Sequence, residues 1–217
     1  MGKGFDGIDD KLAEWIHAQH VFFVASAPLS AAGHVNLSPK GQDSFAILAA
    51  REVAYLDFVG SGAETIAHVR ENRRITLMFC AFEGPPRILR LHGRAEVIEP
   101  GDARFAALRS RFPARDGVRS VLRIALERIA DSCGYGVPLL RFEGDRKQLA
   151  AWVDRKGADG LRRYQLDNNT ASLDGLPALR GRTLTKLHKS RPAWVLTQPS
   201  QRASPPSGAA RSFRRGS

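Results

Sequence analysis

The chain has 217 residues, with 33 Lys and Arg against 22 Asp and Glu, a formal net charge of +11, 43% hydrophobic and 25% charged residues. This is ordinary globular composition, long enough to bury a core without disulfides or a structural metal. It holds no apolar run near the ~18 residues of a membrane span and no apolar leader segment. Cys80 and Cys133 are the only cysteines, too few for a disulfide framework or a four-thiolate zinc site. A reducing cytoplasm is the expected setting.

Residues 6–20 read as a helix capped by Asp9 or Asp10, with Leu12, Trp15 and Ile16 on one face. Residues 21–27 form a continuous apolar run closed by Pro28, as a buried strand does, and a turn at Ala31-Ala32-Gly33 leads to a second strand at 35–39, giving a hairpin. Residues 45–50, 53–59 and 75–81 are further short apolar runs rich in β-branched and aromatic residues, and 60–74 between the last two has helical character. After the turn Gly84-Pro85-Pro86, residues 88–98 alternate, with Leu89, Leu91, Gly93, Ala95 and Val97 on one side. Six short strands with few helices between them predict a small antiparallel barrel, mainly β with flanking helices, rather than a βαβ sheet.

The second half is more helical. Residues 102–112 read as a helix, 119–130 fit helix or strand equally, and 139–142 read as a short strand after the loop Cys133-Gly134-Tyr135-Gly136-Val137-Pro138. Two helices follow at 145–156 and 159–166. Residues 181–217 hold eight Lys or Arg and no acidic residue, leaving 25 basic against 22 acidic residues in 1–180. This Pro- and Ser-rich tail lacks the apolar residues to offset its ordering entropy and is expected to be at least partly disordered. A nucleic-acid role for it rests on composition alone, since Phe213 is the one aromatic after Pro199.

Three places can carry chemistry. Val59-Gly60-Ser61-Gly62-Ala63-Glu64-Thr65 follows a strand and opens a helix, and Ser61 and Glu64 have capping-box spacing, so Ser61 is expected to accept from the Glu64 amide. Free amides and the positive helix end suit a phosphate. Asn36-Leu37-Ser38-Pro39-Lys40-Gly41 offers a hydroxyl and a point charge at the end of the second strand. Arg90 and Arg94 share a strand face, with Arg87 opposed, and could clamp an anion. The Ser, zinc, Walker and dinucleotide motifs are missing, so no catalytic residue and no metal ligand set is assigned.

The order of these pieces resembles the FMN-binding split β-barrels related to pyridoxamine 5′-phosphate oxidase, in a bacterial branch. The resemblance runs through residues 21–26, Val35 to Gly41, 54–58 with Gly60-Ser61-Gly62, Glu71-Asn72-Arg73-Arg74-Ile75-Thr76-Leu77-Met78-Phe79 and Leu91-His92-Gly93-Arg94-Ala95-Glu96. It continues through Asp131-Ser132-Cys133-Gly134-Tyr135-Gly136-Val137-Pro138 and Asp174-Gly175-Leu176-Pro177 and stops near residue 180. It implies a six-stranded antiparallel split barrel over 1–180 with a C-terminal helical extension, a homodimer, and FMN at the subunit interface. It places Asn36, Ser38, Lys40, Ser61, Gly62, Thr65, Arg74 and Arg90 in the cofactor site. Ser132, Cys133 and Tyr135 would approach the ring from the partner subunit. Where the oxidases carry an Arg-Lys pair at the helix start, this chain has Glu64 and Thr65. Glu64 beside a phosphate is unfavourable unless it turns back as the capping partner, and Arg74, Arg90 or Arg94 would supply the missing cation. The oxidases' C-terminal Arg/His pattern is missing, so vitamin B6 oxidation is not expected. The implied function is a flavoprotein oxidoreductase acting on a small molecule. The alternatives are a non-catalytic flavin or haem carrier or sensor, and a deazaflavin-dependent reductase.

Overall fold

The computed structural model describes residues 2–180; the tail expected at 181–217 lies outside the described residues. The described elements are β1 (Gly4–Phe5), α1 (Asp10–His17), β2 (Phe22–Ser26), β3 (Asn36–Lys40), β4 (Phe45–Ala49), β5 (Glu52–Phe58), α2 (Glu64–Asn72), β6 (Arg74–Cys80), β7 (Ile88–Ile98), α3 (Phe105–Arg109), β8 (Val118–Ser132) and α4 (Gln148–Asn168). Asp9 caps α1, its Oδ1 accepting from the Leu12 amide at 2.8 Å, and Leu12 and Ile16 bury the helix against the barrel.

Eight strands form one antiparallel sheet in the order β3-β2-β6-β7-β8-β5-β4, with β1 added on β8. The six runs read from the sequence are β2 to β7. The two additional strands are the two-residue β1 and the fifteen-residue β8, which lies between β7 and β5. The sheet curls into a barrel that is not closed, because β3 and β4 end the hydrogen-bonded path.

The inner face carries the core. Phe22, Phe45, Tyr55 and Phe79 meet with ring centroids 5.1 to 5.7 Å apart. They continue into Val24, Leu77, Leu91, Leu122 and Ile124, all buried. A second cluster packs Leu56, Ile98 and Val121 under Phe112. The middle of β8 is thus buried on both sides, which removes the alternation by which its run would have read as a strand.

Three expectations are corrected. Residues 139–142 are not a strand: Leu140 donates to the Phe82 carbonyl at 2.9 Å and Phe142 to Glu83 Oε1, as an irregular segment crossing the β6–β7 turn. The helix expected at 102–112 is regular only over Phe105–Arg109. The first helix begins at Asp10 because the Asp9 cap excludes the residues before it. The two helices expected near the C-terminus are the two limbs of α4, broken at Gly157 (φ 61°, ψ 174°), a backbone conformation in which only glycine is unstrained. Among the described residues no helix is long and apolar enough to cross a membrane.

Candidate functional site

Residues paired across an antiparallel ladder share a face. Lys40, Ser38 and Asn36 oppose Phe22, Val24 and Ser26, so these three polar residues of an end strand point to the inner side of the barrel. The end strand β3 has no ladder partner on its other side. Polar side chains bridge that gap. Asn36 Nδ2 donates to Thr65 Oγ1 at 2.9 Å, and Ser38 Oγ donates to Asn36 Oδ1 at 3.3 Å. Lys40 Nζ lies 3.5 Å from Asp57 Oδ1.

Asp57, on β5, is 1% exposed. Arg119 Nε donates to its Oδ2 at 2.7 Å and Ser120 Oγ donates to the same oxygen at 3.2 Å, both from β8. Arg119 Nη1 also donates to the Gly62 carbonyl at 2.7 Å. One network therefore joins β3, β5, β8 and the loop before α2. Burial alone would push the Asp57 carboxyl up. The charges of Arg119 and Lys40, with the hydrogen bonds from Arg119 and Ser120, outweigh burial and hold the group below the ordinary carboxylate value. Two cations face one carboxylate, so the cluster has one positive charge in excess. The Tyr55 hydroxyl is buried beside it without a hydrogen-bond partner. Burial, reinforced by Asp57, pushes the Tyr55 phenol well above its ordinary value, so it stays protonated.

The expected capping box does not form. The N-cap of α2 is Ala63, with no side-chain cap, and Ser61 is exposed. Glu64 folds back over the loop instead, its carboxylate lying against Gly62 and its Oε1 accepting from the Leu173 amide at 3.3 Å. The first amides of α2 have no side-chain cap, and the Glu64 carboxylate stands beside the loop that leads into them.

The structure brings Asn36, Ser38, Lys40, Gly62 and Thr65 together and keeps Arg74, Arg90 and Arg94 away from them. Arg74 and Arg94 oppose each other across β6 and β7, and Arg90 opposes Met78, so all three lie on the outer face of the sheet. Arg90 donates to Ser132 Oγ, Arg74 to the Pro28 carbonyl, and Arg94 pairs with Glu127. Cys133 and Tyr135 are exposed beyond the end of β8. The cation that reaches the helix-start loop is Arg119, which the sequence reading missed. Its signal was Asp57: a carboxylate inside the apolar run Val53-Ala54-Tyr55-Leu56-Asp57-Phe58-Val59 requires a buried cation.

An open antiparallel barrel with flanking helices and a polar anion-suited gap at one edge is the class that fold and site define. Residues 8–133 match the pyridoxamine 5′-phosphate oxidase family. The chain is 41% identical over 192 residues to the pyridoxamine 5′-phosphate oxidase family protein ustO of Aspergillus flavus, covering 81% of this chain and 77% of that protein. The chain belongs to this family. Among solved structures, HupZ of Group A Streptococcus aligns at 23% identity over 56% of this chain and 91% of its own, with a TM-score of 0.44. A FAD-binding protein of Mesorhizobium loti aligns at 13% identity over 60% and 96%, with a TM-score of 0.43.

Proposed function

We propose that the chain is an FMN-binding flavoprotein, an oxidoreductase toward a small molecule, acting as a homodimer with the cofactor at the subunit interface. The observation that carries this reading is the excess positive charge of the Lys40–Asp57–Arg119 cluster beside the uncapped start of α2. That donor set fits a phosphate monoester. Lys40 spends one long contact on Asp57 and keeps N–H donors for a second anion. Thr65 accepts from Asn36 through Oγ1, so its own hydroxyl proton is free to donate. Ser38 and Asn36 hold each other and Thr65 in place, and Arg119 fixes the Gly62 carbonyl so that the loop amides keep their direction.

FMN, when bound, supplies the hydride or electron transfer, and the protein supplies position and electrostatics. Lys40, Thr65 and the first amides of α2 would hold its phosphate, with Ser38 and Asn36 positioning Thr65. Asp57 keeps Lys40 from swinging into solvent, and Arg119 keeps Asp57 from drawing the full charge of Lys40.

The test is an absorbance spectrum of the purified, desalted protein, followed by identification of what denaturation releases. Oxidised-flavin bands and released FMN are expected. A haem-like Soret band, a released deazaflavin, or a colourless protein that takes up no added FMN overturns the reading. Lys40→Met should weaken FMN about 10- to 100-fold, as loss of a charge-assisted contact does, while leaving riboflavin binding unchanged.

A further inference from the structure

A cavity of about 360 Å³ opens on the outer face of the sheet, where β2, β6 and β7 run side by side. Lys40 and Ser38 point to the inner side, so this is a different place from the phosphate donors. Ala25 alternates with the inward Val24 and Ser26. It pairs with Thr76 across β2 and β6, and Thr76 pairs with His92 across β6 and β7, so the three stand in one row on the outer face. One step along the strands, Arg74 opposes Arg94. Ala27 and Val35 also line the cavity. The volume falls at the small end of the ~300–1,000 Å³ range of small-molecule sites.

Like charges directly opposed across a ladder repel, yet this wall sets two guanidinia side by side and holds them there. Arg94 Nη1 donates to the Asn72 carbonyl at 3.2 Å. Arg74 Nε donates to Asn72 Oδ1 at 3.5 Å, and its Nη2 to the Pro28 carbonyl at 3.2 Å. Asn72 Nδ2 in turn donates to the Ala27 carbonyl at 2.8 Å, so one residue at the end of α2 ties both arginines to the apolar wall. Glu127 is the one carboxylate that lines the cavity, and it pairs with Arg94 at 3.0 Å. Among the described residues Arg74 donates to neutral acceptors alone, so one positive charge is left over. His92 adds no further charge. Burial, with Arg128 and Arg90 nearby, lowers it below the ordinary histidine value, and its imidazole is neutral at pH 7. Its Nδ1 lies 3.1 Å from Thr76 Oγ1. When the Thr76 hydroxyl donates to Nδ1, the imidazole proton is on Nε2, where it can meet an anion.

We propose that this cavity binds a small organic carboxylate, with the carboxylate between Arg74 and Arg94 and the hydrocarbon part against Ala25, Ala27 and Val35. Paired guanidinia fit a planar anion with two oxygens, since each presents parallel N–H donors. The bound charge relieves the repulsion between the two arginines. The alanines leave room where larger side chains would fill the cavity, and they give an inorganic anion nothing to contact. The apolar wall therefore selects an organic acid over free phosphate. The site stands or falls apart from the flavin reading, because none of its residues belongs to the Lys40–Asp57–Arg119 cluster.

The experiment is a nuclear magnetic resonance titration of the full chain with benzoate, benzamide and inorganic phosphate, with and without added FMN. Benzoate should shift the Thr76 and His92 amide signals saturably. It should bind at least about 10-fold tighter than phosphate and than benzamide, its neutral isostere, as loss of a charge-assisted contact requires. Arg74→Met should weaken benzoate about 10- to 100-fold for the same reason, with FMN affinity unchanged. Ala25→Leu keeps every charge and fills the apolar part, so it should abolish benzoate binding. No saturable shift, as when the partner subunit covers the cavity, overturns the inference and leaves the flavin reading standing. Benzoate that binds no better than phosphate, or that ignores both substitutions, reports attraction to surface charge alone and overturns it too. Competition between benzoate and FMN puts both in one site and does the same. A colourless protein that takes up no FMN but binds benzoate in this way overturns the flavin reading only.

Discussion

Asp57 has Arg119, Lys40 and Ser120 as partners, and Asp57→Asn leaves a guanidinium only 6% exposed without its counter-ion. Breaking a buried pair costs about 3–5 kcal/mol, so the substitution should lower the melting temperature by roughly 6–20 °C. A melting temperature within 2 °C of wild type would mean that the pair is not buried in solution. Titration of these groups sets the acid limb of stability. Burial holds His68 below the ordinary histidine value against the opposing charges of Asp174, Glu64 and Glu71. Burial also lowers His92, with Arg128 and Arg90 adding to the effect. The folded state then binds fewer protons than the unfolded state below about pH 6.5. Their contribution is complete above that pH and is lost as pH falls. The depressed Asp57 contributes fully above about pH 4 and loses its contribution as pH falls through its lower folded value. Thermal melts from pH 8 to 3 should therefore decline in two stages. His68→Gln, which keeps a partner for Ser26, should flatten the upper stage only; an unchanged upper stage would remove His68 from this account.

The strands differ in how plainly their residues announce them, and β7 and β8 mark the two extremes. β7 alternates from Leu89 to Ala95, one face meeting the core, and only at its end does Ile98 bury itself from the other face in the second cluster. β8 has buried residues on both sides through Val121 and Leu122, so no period survives to separate strand from helix. Their contact also contains an irregularity, with the register slipping between His92 and Gly93. At that slip the backbones approach closely, and a Cβ on Gly93 would lie 2.3 Å from the Ala125 carbonyl oxygen and 2.9 Å from Ile124 Cγ2. A carbonyl in a central ladder cannot yield, so Gly93→Ala is expected to cost about 1–3 kcal/mol, read from the midpoint of urea unfolding. An unchanged midpoint would show that the ladder shifts more freely than its pairing suggests. The site was legible to the same degree as its elements. Lys40 stands at the end of β3 and Thr65 at the start of α2, where local chemistry shows, and Ser38 lies in the same short strand as Lys40. Arg119 reaches Asp57 from 62 positions away, and Arg74 and Arg90 are separated from Lys40 only by which face of the sheet they occupy. Neither relation is visible before the strands are paired.

An open sheet leaves surface that a closed barrel would hide. On and before the end strand β3, Val35 and Leu37 are largely exposed, and past β8 Tyr135, Leu139 and Leu140 stand outward as well. Scattered apolar residues need no explanation, but two groups on one fold, one at the sheet's end strand and one on an irregular arm, are what a second chain would cover. The homodimer proposed above accounts for them with one interface. Sedimentation equilibrium at micromolar concentration should give twice the chain mass, and Leu37→Asp combined with Leu139→Asp should shift the protein toward monomer. Binding linkage sharpens the test. If the cofactor lies at the interface, the dimer binds it better than the monomer, so added FMN must tighten the dimer by the same factor that dimerisation tightens FMN. The monomer-favouring pair of substitutions should then weaken FMN even though neither residue belongs to the Lys40–Asp57–Arg119 cluster. A dimer whose dissociation constant ignores FMN would place the cofactor within one subunit. A monomer that binds FMN with full affinity would do the same.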